Sequence, residues 1–173
     1  MKTMKALNIL LVAAVMVVAK PPAPIAAPDP FQAGLGKVYE GYLIIQKALA
    51  NDDFQDAKIV SESLLDTVKA IPTKGLDKSA KVRWDSSSAG MNKALHSMSA
   101  AKDIKSLRSQ FMGLTPVVLN AMETFGSKSG SRAYLFHCPM ANADWIQSDK
   151  TLANPFYGKS MECGEVVREV KKK

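Results

Sequence analysis

Apolar positions recur at helical spacing in four stretches of the chain. Leu35, Val38, Tyr42, Ile45 and Leu49 share one face of a first helix. Asn51-Asp52-Asp53 closes it and offers an N-cap to the next. Phe54, Ala57, Ser61, Leu64 and Val68 line a second helix, which Pro72 stops. Trp84, Met91, Leu95 and Met98 mark a third, weakened locally by Ser86-Ser87-Ser88 and Gly90. The fourth pattern is the clearest. Asp103 can cap it, Ile104, Leu107, Phe111, Leu114, Val118, Ala121 and Phe125 keep a near-heptad seam, and Gly126 suits its C-terminal end. Pro116 falls inside this seam and is expected to kink the helix, because its ring displaces the carbonyl of Met112. Four amphipathic helices with short connections predict an all-α fold, an antiparallel four-helix bundle over residues 31–126. A short irregular or β-like C-terminal segment, residues 127–173, should pack on it. Ser127–Ser131 reads as a Gly/Ser/Lys loop, Tyr134-Leu135-Phe136 as extended chain, and Asn154-Pro155 and Gly158 as turns.

The pattern upstream is different. Lys2 and Lys5 precede an uncharged apolar run, Ala6 to Ala19, too short to span a bilayer comfortably. Val17 and Ala19 are small enough for the −3 and −1 positions of a cleavage site. Residues 1–19 therefore read as a secretory signal peptide rather than a retained anchor, and no cysteine near the site marks a lipoprotein. Residues 20–30 are a Pro-rich linker, since Pro21–Pro30 holds five of the nine prolines. The expected location is the periplasm, with no stable membrane anchor after cleavage.

With 173 residues, 47% of them hydrophobic, the chain can build one core without a staple. Aromatics are only 7%, so aliphatics and methionine must fill it, and Met91, Met98, Met112 and Met122 read as core. Two units of the formal +7 belong to Lys2 and Lys5, and the remaining basic residues are scattered apart from the Lys171–Lys173 tail. An exported chain of this kind is not expected to bind nucleic acid. Gly34-x-Gly36-Lys37 lacks the rest of a phosphate loop, His96 reads as an ordinary surface or core histidine, and neither a triad nor a paired-carboxylate motif stands out. The chain is not expected to be an enzyme.

Soft donors concentrate near the C-terminus. His137, Cys138 and Met140 lie on one side of a long loop, Met161 and Cys163 on the other. The spacing is mirrored, Cys-x-Met then Met-x-Cys. One antiparallel register, Cys138 opposite Cys163 and Met140 opposite Met161, would bring all four sulfurs to one face. Pro139 would then require an edge or irregular strand, and His137 would point to the other face. Thiolate and thioether donors favour Cu(I) over hard cations. The same register supports a Cys138–Cys163 disulfide, which is the simplest use of two cysteines after export and adds about 3 to 4 kcal/mol in the chain-entropy model. The cofactor is accordingly Cu(I), or none if the cysteines are bonded. Asp144 and Trp145 are expected to fix the loop, with the indole packed on the bundle.

His137-Cys138-Pro139-Met140-Ala141, Trp145, Asn154-Pro155-Phe156-Tyr157-Gly158 and Met161-x-Cys163-Gly164-Glu165 resemble the pattern of an exported bacterial family, domain of unknown function three-three-four-seven. Tyr42 to Ala57 and Arg108-x-x-Phe111 also look like its positions. Some relatives have two residues between the methionine and the cysteine, where Glu162 stands alone here. The family occurs alone or appended to periplasmic adaptor (membrane-fusion) subunits of heavy-metal efflux pumps. The resemblance implies a helical periplasmic domain tied to soft-metal handling. It marks Cys138, Met140, Met161 and Cys163 as candidate ligands, and an efflux adaptor or another periplasmic protein as partner. The competing function is a disulfide-stapled interaction module that binds no metal.

Overall fold

A computed structural model of the chain describes residues 29–126 and 132–170. The expected signal peptide, nearly all of the expected linker, the stretch Ser127–Ser131 and the terminal lysines lie outside them. Four helices come first: α1 (Asp29–Ala50), α2 (Phe54–Ala70), α3 (Lys78–Ser99) and α4 (Ile104–Phe125). Each packs on the next in sequence, and α4 also contacts α1 and α2. None of the described helices is long and apolar enough to cross a membrane.

The helix boundaries have local causes. Asp29 and Pro30, read from the sequence as the end of the linker, form the first turn of α1, where proline's missing N–H is not needed. Asp52 adopts a left-handed conformation (φ 64°) between α1 and α2, and the Asp53 carboxylate caps α2 by accepting from Asp56 N–H at 3.0 Å. Ile71, just before Pro72, turns extended and ends α2. Asp103 and Ser106 form a reciprocal capping box on α4.

α3 runs unbroken through Ser86–Ser88 and Gly90. The weak local propensity is overridden by packing: Ser87 is buried, and a Cβ at Gly90 would lie 2.7 Å from Val117 Cγ1 of α4. Small residues there let the two helices approach closely. α4 likewise continues through the exposed Pro116. Met91, Met98 and Met122 are core, but Met112 is 37% exposed. It follows Phe111 by one residue, about 100° round the helix from the buried seam.

The C-terminal segment forms a three-stranded antiparallel sheet, so the expectation of irregular or β-like chain resolves as sheet. The strands are β1 (Tyr134–Cys138), β2 (Ala143–Gln147) and β3 (Glu165–Glu169), in the order β2-β1-β3. β1 is thus central, not an edge. Pro139 is accommodated because the strand ends at Cys138 and the proline opens the turn into β2.

A run of rings joins the sheet to the helices. Phe136 stacks on Trp145 at 5.0 Å, Trp145 meets Phe156 edge-on at 5.9 Å, Phe156 lies 6.2 Å from Phe111, and Phe111 stacks on Tyr42 at 5.1 Å. Trp145, Phe136, Phe111 and Tyr42 are fully buried or nearly so. The cap and the helices therefore share one core.

Candidate functional site

The two cysteines meet. Cys138 closes β1, Cys163 lies just before β3, and the structure joins them in a disulfide with Cα atoms 5.6 Å apart. Both are buried. The register is not the expected one. Phe136 pairs with Val166 and His137 with Glu165, so continuing the ladder would set Cys138 opposite Gly164. A bulge at Leu135/Phe136 shifts the pairing, and β3 begins only at Glu165, after Gly164 (φ 141°). The disulfide is therefore made from beyond the end of the ladder.

That one-residue difference matters for the methionines, since it exchanges the faces of a strand. Met140 and Met161 both lie outside the strands and are not a cross-strand pair. Met140 sits in the β1–β2 turn, 62% exposed, and lines a groove against α4. Met161 packs, partly buried, against the core. His137 is next to Cys138 on β1 and so faces the other way. Its Nδ1 is 2.7 Å from Asp144 Oδ1 on β2, directly across the ladder.

The five predicted ligands thus divide into a bonded cysteine pair, a histidine held by a carboxylate, an exposed thioether and a partly buried one. Among the described residues no three His, Cys, Asp or Glu side chains converge as metal ligands do. A two-thiolate Cu(I) site fits the cysteine positions only after reduction, because neither sulfur of a disulfide is a thiolate.

The residues singled out as a structural motif hold the cap together. Asn154 donates from Nδ2 to the Cys163 carbonyl (2.5 Å), while its Oδ1 accepts the N–H groups of Phe156 (2.7 Å) and Tyr157 (3.2 Å). The Pro155 carbonyl accepts from Arg108 Nε at 2.9 Å. Tyr157 leads into a 3-10 turn at Gly158–Ser160. Gly158 has φ 59° and lies against Arg108 and Asp52, where a Cβ would collide. Gly164 similarly packs on the Trp145 ring. The Trp145 indole N–H donates to Gln147 Oε1 at 2.9 Å, and Gln147 Nε2 donates to the carbonyls of Asp149 and Thr151. The indole reaches the helices through Phe156.

Three anchors lie at helical positions that the family resemblance touched without giving them a role. Arg108, flanking the seam of α4, also donates from Nη2 to the Leu49 carbonyl and to Asp52 Oδ1, each at 2.7 Å. Asp52 Oδ2 accepts the Lys159 N–H at 3.2 Å. The Arg108 hydrogen bond, seconded by that N–H, holds the Asp52 carboxyl below the usual carboxylate range. Tyr42 OH accepts the Ile146 N–H (3.0 Å) and shares a hydrogen bond with Thr115 Oγ1 (2.7 Å), and burial pushes its phenol well above the ordinary tyrosine value. Gln46 donates to the Ala153 carbonyl at 2.7 Å. A tyrosine on a buried stripe and a cation beside a seam were legible as types, but their partners lie 47 to 104 residues away in the chain.

Four helices carrying a disulfide-tied, three-stranded cap define a small helical domain whose polar interior residues brace the cap. The chain belongs to the family described as protein of unknown function (DUF3347), which matches residues 38–130. The match runs from within α1 through α4 and stops before β1, so the Cys/Met segment lies beyond it. No curated protein and no solved structure matches the chain.

Proposed function

We propose that this chain is an exported, non-catalytic interaction module. Its helices, arranged as an antiparallel bundle, form a base, and the Cys138–Cys163 disulfide locks the cap that docks on a periplasmic partner. One observation carries the reading. Arg108 of α4 and the cap's own Asn154, Gln147 and His137–Asp144 pair are engaged in holding the cap backbone or each other. A surface held this firmly binds with little ordering cost. The family resemblance supports a heavy-metal efflux adaptor as the partner. The mature N-terminus is expected near Lys20, in the periplasm.

The test is a thiol count on protein isolated from the periplasm, followed by photo-cross-linking of the full chain in periplasmic extract. No free thiol without reductant, and a specific adduct that Cys163→Ser loses, are the expected results. Two free thiols, or adducts no different from background, would end this reading.

A second reading has its own support, the approach of Cys138 and Cys163 to a Cα separation of 5.6 Å. The reduced protein would bind one Cu(I) through two thiolates. A chelator competition on reduced protein, comparing wild type with Cys138→Ser and with Met140→Leu plus Met161→Leu, decides it. Copper binding unchanged by the serine refutes it. Loss with serine alone returns the methionines to packing roles.

A further inference from the structure

Between α4 and the β1–β2 turn runs a groove of 440 Å³, a size that accepts a small ligand or the anchor residues of a peptide. Met140 and Met112 form its apolar walls, at 62% and 37% exposure, with Phe156 and Tyr157 beside them. These two methionines are the only ones among the exposed large hydrophobic side chains of the described residues. Unbranched thioethers adapt to differently shaped apolar partners. The charge along the groove has one sign. Its charged lining residues are Lys105 and Arg108, and no carboxylate lines it. Asp52 already pairs with Arg108, whereas Lys105 forms no salt bridge among the described residues and feels only the Asp103 carboxylate two residues before it.

Building on the reading of the chain as a docking module, we propose that this groove receives an acidic segment of a partner protein, with an apolar side chain seated between Met112 and Met140 and a carboxylate near Lys105. Apolar burial supplies affinity, and the cationic rim selects against basic segments.

The test uses short blocked peptides in which leucines are flanked by glutamates, matched peptides with lysines instead, and glutamate peptides lacking leucine. Binding to the full oxidised chain is followed by the methionine methyl NMR signals. The leucine–glutamate peptide should shift Met112 and Met140 and leave the buried Met91 and Met98 in place. Met140→Glu and Lys105→Glu should each weaken it about tenfold, with Ile59→Glu, exposed on α2, as a neutral control. Equal binding of the lysine peptide, or no shift with any peptide, overturns the proposal. Cross-linked adducts that persist in a Lys105→Glu, Met140→Glu double variant would also overturn it, while leaving the module reading in place.

Discussion

Cys163, Asn154 and Asp52 each secure a different point of the cap, and each can be removed separately. The disulfide closes a sequence separation of 25 residues. Cys163→Ser should therefore cost about 3 to 4 kcal/mol, seen as a lower urea midpoint, and reductant should bring wild type down to the variant. A variant as stable as the oxidised protein would show that the cap holds without its staple. Asn154→Ala strips the Cys163 carbonyl and two N–H groups of their partner and should cost about 1 to 3 kcal/mol. Asp52→Asn keeps a side chain tolerant of the left-handed backbone, so it isolates the charge. Because the folded carboxyl titrates below its unfolded value, its stabilisation is complete above about pH 4 and disappears as pH falls through the depressed folded value. Urea midpoints of wild type and Asp52→Asn should differ at neutral pH and converge in acid. A gap that widens in acid would contradict the Arg108 pairing.

The helices were readable as elements because 3.6-residue apolar stripes are bounded by local signals, the N-caps Asp53 and Asp103 and the stops Pro72 and Gly126. Local reading undervalued α3, since it counted Ser87 and Gly90 against the helix. The missing bulk at Gly90 is what the α3/α4 contact requires. Gly90→Ala should therefore lose stability, by about 1 to 3 kcal/mol, although alanine is the better helix former. Adding Val117→Ala should recover part of the loss. A double-mutant cycle on urea midpoints measures this, and strict additivity would mean that the two residues do not touch. The strands illustrate a different limit. The apolar run Tyr134-Leu135-Phe136 read as extended chain, but a bulge set its pairing, and sequence spacing alone placed the cysteines one residue out of register.

At the scale of the whole molecule, cap and helices complete each other. Tyr42 and Phe111 lie in the buried core yet face Ile146 and Phe156, and Arg108 bridges α4, the end of α1 and the cap loop. A chain ending at Gly126 retains all four helices but uncovers these side chains. It should keep its far-ultraviolet helical signal, bind a hydrophobic dye and unfold with reduced cooperativity. Sharp unfolding with no dye binding would show instead that the helices are an independent unit.

The four helices, their caps and most of their buried stripes were determined by the sequence by itself, because those features depend on residues three or four apart. The identity of the cap residues was legible too, as a cluster of rare types between His137 and Gly164. What they do was decided only in three dimensions. Cys138 meets Cys163 outside any ladder, His137 turns to Asp144, Met140 turns to α4, and Arg108 reaches Asp52 and Pro155. Those contacts depend on which strands pair, on a bulge in β1/β3 and on how the cap settles against α4. Such features are set by how whole elements settle on a shared core, and local periodicity carries no record of them.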